Sequence, residues 1–232
     1  MLLIVFAIGA VILMTQTIYI PGLGNLHLGP SSVITGSGNV VSETREVSGV
    51  DSAVVFKAPG EMTITLGETP ALTIEADDNL MGIIQTRVEN GTLVIELTAG
   101  PNVSLQLNQP IRYRLTVTSL ESIELAGAGS IQALGIEAED LKVNFSGGGK
   151  IELTGHAGSQ EVKFNGAGIY QAGDLESQNV TLSASGSVDA TVWATDRLDV
   201  DCKGACSVKY YGDPALGKNI NAVGLVISLG TK

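Results

Sequence analysis

The chain has 232 residues, 44% of them hydrophobic, and 24 acidic against 13 basic side chains give it a formal net charge of −11. Such acidity excludes nucleic acid as a partner, because phosphates are held by a basic surface, and it disfavours simple electrostatic adhesion to anionic lipid. Aromatic residues make up only 4%, too few for an obvious stacking platform for sugars or bases.

Met1 to Ile20 is almost wholly apolar, interrupted by Thr15, Gln16 and Thr17, and approaches the roughly 20 residues that span a bilayer. No Lys or Arg precedes Arg45, and no Ala-x-Ala-like exit follows the run. An uncleaved membrane anchor is therefore favoured over a cleavable signal. Either places the chain outside the cytoplasm; a buried globular helix is the remaining reading. Residues 21–32, rich in Gly and Pro, read as a linker, and residues 33–232 as one domain.

A short pattern first shows at Val54-Val-Phe56-Lys-Ala58-Pro-Gly60-Glu-Met62. It lapses over residues 71–118, where alternating strands are predicted instead: Leu72-Thr-Ile74, Thr92 to Leu97 after the hairpin signal Asn90-Gly91, and Ile111 to Val117. This stretch is expected to cap or flank the rest, because an open solenoid end is a free sheet edge.

From Ile123 the pattern recurs five times: Ile123-Glu-Leu-Ala-Gly-Ala-Gly-Ser-Ile131, then from Val143, Val162, Val180 and Val200, at steps of 20, 19, 18 and 20 residues. A fixed period of this size marks a solenoid. A β-sandwich of hairpins would show varied spacing. The prediction is an all-β, right-handed parallel β-helix of about 19 residues per coil, with a capping β-hairpin region. Alternation aligns a β-branched rung from Ile123 to Val200 and a bulky rung of Leu125, Phe145, Phe164, Leu182 and Cys202. A further rung holds Ile131, Ile151, Tyr170 and Val188. Gly-x-Gly between the apolar pairs reads as a tight corner in which glycine supplies positive φ. Asn219 to Leu229 carries a decayed copy, expected to close the far end.

Little chemistry is legible. The Gly-x-Gly elements do not continue as Gly-x-Gly-x-x-Gly into a helix, so no nucleotide site follows. Cys202 and Cys206 flank a corner; they form either a disulfide or two small packing residues, since spacing alone does not decide. His27 and His156 lack partners at zinc-ligand spacing. Acidic turns such as Glu137, Glu139 and Asp140 read as solvated loop rather than a calcium site. The best carboxylate pair is Glu152 and Asp189, expected on one outward ladder two rungs apart, with Lys163 as the nearest basic partner. Their polar neighbours give no apolar pocket to raise a carboxyl pKa, as general acid catalysis requires. No catalytic, cofactor-binding or metal-ligating residue is therefore assigned, and no cofactor is expected.

The run Ile34-Thr-Gly-Ser-Gly-Asn-Val-Val-Ser-Glu-Thr-Arg-Glu-Val-Ser-Gly-Val-Asp-Ser52 resembles the start of the "putative auto-transporter adhesin, head GIN domain" family. Glu75 to Leu80, Glu89 to Ile95, the glycine corners and Val208 to Pro214 resemble its later blocks, so the likeness covers about residues 33–228. The resemblance implies a pectin-lyase-like β-helix, a bacterial envelope location and a role in adhesion, with a trimer among the assemblies it suggests. It brings no catalytic residues. Ala184 and Cys206 depart from the corner glycines. The expected function is a non-catalytic exported envelope protein, an adhesin or surface-interaction module. Its expected partners are an envelope or host-surface ligand, protein or glycan, and further copies of itself, with membrane contact through residues 1–20. A carbohydrate-processing enzyme on the same fold and an envelope spacer are the alternatives.

Overall fold

The computed structural model describes residues 32–100, 103–221 and 223–232, and the backbone alone of 16–20 and 24–28. Residues 1–15, most of the apolar run, lie outside the described residues. The end of that run forms strand β1 (Gln16–Ile20), paired antiparallel with β2 (Gly24–Leu28) inside the expected linker. β3 (Ser32–Thr35) pairs in parallel with β10 (Val103–Gln106).

The remaining strands build a parallel β-helix with three sides. On the first side β5 (Ala53–Phe56) and β12 (Ser122–Leu125) lie side by side in parallel, and β12 pairs with the end of β13 (Ala128–Phe145). On the second side β6 (Gly60–Leu66) pairs with the start of β13. β14 (Gly148–Phe164), β15 (Ala167–Ala184) and β16 (Ser187–Cys202) each run through all three sides before the next corner. β17 (Ala205–Tyr211), β18 (Ala215–Ile220) and β19 (Gly224–Ser228) finish the stack. Alternation drives this arrangement: Val143, Phe145, Ile151 and Leu153 are all fully buried, and no coil could bury them without a neighbour.

The corner between first and second sides sets the register. The carbonyl of each leading glycine accepts from the next coil: Gly148 N–H to Gly127 O at 3.1 Å, Ala167 to Gly147 at 3.2 Å, Ser187 to Gly166 and Ala205 to Gly186 at 3.0 Å. A Cβ on Gly147, Gly166, Gly186 or Gly204 would overlap the carbonyl below it, and one on Gly127 would stand 2.7 Å from Ala58 O. Close stacking, not positive φ, is therefore what demands glycine here. Of the corner glycines only Gly60 and Gly149 adopt the left-handed region, at φ 122° and 145°.

This corner corrects the sequence alignment of one coil. Gly186, not Ala184, stacks on Gly166, so the steps between leading glycines 127, 147, 166, 186 and 204 are 20, 19, 20 and 18 residues. Ala184 then faces Phe164, Leu182 faces Val162, and Ala190 rather than Val188 faces Tyr170. Volume explains the exchange. Phe145 and Phe164 stack at 4.7 Å, Tyr170 packs edge-on against Phe164 at 5.9 Å, and alanines occupy the next coil beside both bulky rings.

Residues 71–118 cover the N-terminal end. β9 (Thr92–Leu97) extends the first side beyond β5, and β11 (Arg112–Val117) extends the second side beyond β6. The direction then reverses: β8 (Ile84–Glu89) is antiparallel to β9, β7 (Ala71–Asp77) to β11, and β4 (Val40–Arg45) to β7. The β8–β9 hairpin turns at Asn90 and Gly91, both at positive φ (50° and 77°), as the sequence signal predicts. The short helix α1 (Asp78–Met81) buries Leu80 and Met81 over the end of the core. Arg45 donates to the carbonyls of Ile84 (2.6 Å) and Met81 (3.1 Å), tying β4 across this cap.

Gly186→Ala is expected to cost about 2–3 kcal/mol, because its Cβ must lift the corner off Gly166. Gly82→Ala, with open space and φ −70°, should stay within about 0.5 kcal/mol of wild type. Chemical denaturation of the two variants checks the contrast. Phe164→Ala should lose about 3–5 kcal/mol and Ile220→Ala clearly less, since a terminal coil has one neighbour. Equal losses in the same assay would count against a linear stack.

Candidate functional site

The second side carries the longest outward polar ladders. Gln132, Glu152, Gln171, Thr191 and Lys209 align on one, and Ser130, Lys150, Ile169, Asp189 and Ser207 on the other. Glu152 and Asp189 are thus on adjacent ladders, not one, because the shifted coil moves Asp189 by two residues. Glu152 accepts from Lys150 Nζ at 2.6 Å and from Gln132 at 3.4 Å. The Lys150 hydrogen bond holds its carboxyl below the ordinary glutamate range. Asp189 instead pairs with Lys209 at 3.3 Å. A general acid needs the opposite shift.

Lys163 does not join this pair. It lies on the first side, beside Asn144 and Ser183, and bonds Glu161 at 2.5 Å, pulling that carboxyl down as well. His156, on the third side, stands between Glu137 (3.3 Å) and Glu176 (3.5 Å) from the coils either side, with about 65% of its side chain exposed. Among the described residues no group of three or more His, Cys, Asp or Glu side chains is placed to hold a metal ion. Cys202 and Cys206 are joined as a disulfide across the last full corner, with Cα atoms 6.4 Å apart.

Two buried polar features escaped the sequence reading. Gln160 replaces an apolar residue in the rung of Leu141 and Val180, yet it is satisfied: it accepts from Tyr170 Oη at 2.8 Å and donates to Ser177. Full burial pushes the Tyr170 phenol far above its ordinary pKa, so it serves as a fixed donor. Asp77, 3% exposed at the end of β7, has neither carboxylate oxygen hydrogen-bonded among the described residues. Around it the loop Thr35–Asn39 is tied down by its sequence neighbours. Asn79 accepts from Ser37 N–H at 3.0 Å and donates to Thr35 O at 2.8 Å, and Asp78 accepts from Ser37 Oγ at 2.5 Å and Asn39 Nδ2 at 2.9 Å. The Ser37 and Asn39 bonds keep the Asp78 carboxyl low. Periodicity signals neither feature, because both depend on contacts outside the repeat.

An open groove of about 530 Å³ lies along the corner face, lined mainly by small and apolar groups including Gly168, Ile169, Val188, Cys206, Val223 and Leu225. Asp189 stands among its lining residues. It runs across successive coils.

The model of the "putative auto-transporter adhesin, head GIN domain" family matches residues 51–214, which spans every repeated corner. The chain belongs to this family. That match is narrower than the resemblance read from sequence, and it includes only the last two residues of the Ile34 block, Asp51 and Ser52. No functionally curated protein matches. Among solved structures, a putative adhesin from Bacteroides fragilis is 21% identical with a TM-score of 0.67, covering 84% of this chain and 100% of its own. A putative adhesin from Parabacteroides merdae is 13% identical with a TM-score of 0.50, covering 85% and 99%. A putative lipid binding protein from Parabacteroides distasonis is 20% identical at a TM-score of 0.46, covering 85% and 99%. At these identities the likeness concerns the fold. In this head GIN domain the outward ladders are thus local ion pairs, while the cap holds the one buried carboxylate without a partner among the described residues.

Removing that charge tests its cost. Asp77→Asn keeps the shape and discards an unpartnered buried carboxylate, so unfolding free energy is expected to rise by about 1–3 kcal/mol. A fall in the midpoint of thermal unfolding at neutral pH would show that the charge is held by something stabilising.

Proposed function

We propose that this chain is a non-catalytic, exported envelope protein whose rigid solenoid presents a surface for adhesion to a protein or glycan ligand. The observation that carries the reading is the state of the outward carboxylates. Glu152, Glu161 and Glu75 each sit beside a cation that lowers the carboxyl pKa, Lys150, Lys163 and Arg114 in turn. They are ionised members of local pairs, suited to a solvated recognition surface and unsuited to general acid catalysis. The Cys202–Cys206 disulfide supports export, because such bonds persist in oxidising compartments. Family membership supports adhesion. Membrane attachment through residues 1–20 belongs to the same proposal; no helix among the described residues is long and apolar enough to cross a bilayer.

Binding of the labelled chain to a glycan array and to immobilised envelope proteins, run beside assays for reducing or unsaturated sugar release, tests this reading. Saturable binding without turnover on neutral or acidic polysaccharides is expected. Turnover that vanishes in Glu152→Gln or Asp189→Asn would replace it with the carbohydrate-processing alternative.

A further inference from the structure

The two ends of the solenoid are built differently. At the N-terminal end the outermost strands are β8, Ile-Gln-Thr-Arg-Val-Glu, and β4, Val-Val-Ser-Glu-Thr-Arg. Both run antiparallel to their neighbours and both carry charged side chains, which is how soluble proteins discourage edge pairing. At the C-terminal end the outermost strand of the second side is β19, Gly-Leu-Val-Ile-Ser, with no charge at all. It pairs with β17 on one edge, and no described strand covers the other.

Apolar exposure gathers at this same end. Nine large apolar residues are exposed among the described residues, and five of them, Leu216, Val223, Leu225, Ile227 and Leu229, belong to the last coil and its exit. Val223 is 83% exposed, Leu225 64% and Ile227 44%. The corner groove ends here as well, with Val223, Gly224 and Leu225 forming its final wall.

We propose that β19 is a self-association edge, and that its occupant is β19 of a second copy of this chain, paired antiparallel about a two-fold axis at Val226. Centring on Val226, the middle residue of β19, pairs the whole strand with its copy. Leu225 of one copy lies opposite Ile227 of the other, and the two-fold repeats the contact, so both outward rows are apolar cross-strand pairs. Val226, half-buried on the core side, meets its own counterpart over the open end of the core. Shifting the pairing by one residue would set Leu225 against Val226 of the copy and break the match of faces.

Charge agrees with this choice. Residues 203–232 hold four lysines and one aspartate, net +3, whereas the preceding 202 residues hold nine basic and 23 acidic side chains, net −14. Meeting at this end keeps the two acidic bodies as far apart as the molecule permits. Head-to-tail stacking would instead press β19 onto the charged edges of β8 or β4, where Arg87, Glu89, Glu43 and Arg45 would lose water. The pair is therefore closed, and two copies rather than three complete it. Leu225 and Ile227 continue the two outward ladders beyond Ser207 and Lys209, but the pairing uses the free backbone edge of β19 and not the ladder ion pairs, so the dimer test and the ligand-binding test can fail separately.

Val226→Cys in the full-length chain provides the decisive test, because both native cysteines are already paired with each other. Mild oxidation should give a covalent dimer on a non-reducing gel, whereas Val40→Cys, at an exposed position on the opposite end, should give none. Sedimentation of the full-length chain in density-matched detergent should show a two-copy mass. That mass should drop to one copy in Ile227→Lys and return in Leu225→Glu/Ile227→Lys, where the register sets Glu against Lys. Circular dichroism confirms folding of each variant, and Leu225→Glu alone serves if Ile227→Lys is unfolded. A monomer or a trimer at about 100 μM, a dimer indifferent to both single charges, or equal cross-linking from Val226→Cys and Val40→Cys would overturn the proposal.

Discussion

Each coil hangs on the one before it by a hydrogen bond at the corner, from the residue after the leading glycine to that glycine's counterpart below. The bond leaves no room for a Cβ, so glycine at 127, 147, 166, 186 and 204 fixes both the rise and the lateral register of the stack. Everything inside follows from that pin. With the corner set, the side chains of both flanking strands must accept the neighbours they are given. Phe164 and Tyr170 fit in adjacent rungs of one coil only because the following coil offers Ala184 and Ala190. Packing volume is conserved across coils and not within them, which is the behaviour of a close-packed interior.

The same pin explains how much was legible in the sequence. The solenoid, its period, the inward rungs, the Asn90–Gly91 hairpin and the insertion over 71–118 all follow from alternation, spacing and turn chemistry. The fourth coil was misregistered because its apolar spacing, Val180, Leu182 and Val188, imitates that of Val162, Phe164 and Tyr170. Apolar identity tolerates a slip of two residues; a backbone carbonyl pressed against Cα does not. Glu152 and Asp189 consequently separate onto two ladders, and the candidate pair dissolves with them. Gln160, Tyr170 and Ser177 were unreadable for another reason. A buried glutamine is acceptable only if its partners arrive from other sides of the coil, and no linear pattern records that convergence.

Seen from outside, the molecule is a three-sided rod whose polar groups are satisfied locally. Pairs such as Lys150–Glu152, Lys163–Glu161 and Arg197–Asp199 join residues two apart on one strand. His156 and Lys209 add bonds between coils. Pairs this exposed add little stability. Their effect is to present charge in fixed rows, on a scaffold whose backbone has few ways to move. The cap holds the contrasting element, the unsatisfied Asp77 beneath a tightly bonded loop.

The insertion also has a consequence for the order in which the chain can assemble. Neighbouring coils from Ser122 onward are joined by contacts 17–20 residues apart, so each new coil finds its template almost at once. The first coil must instead wait: Ser52 meets Glu121 across a sequence separation of 69 residues. Closing that loop costs about 1 kcal/mol more than closing a single coil. During vectorial emergence from the N-terminus, β5 and β6 would each have one open edge until β12 and β13 arrive. Their other edges are occupied earlier, because β9 pairs in parallel with β5 and β11 with β6. The cap thereby acts as a built-in nursemaid for the first coil, and the seeding surface on which the regular coils can then be laid.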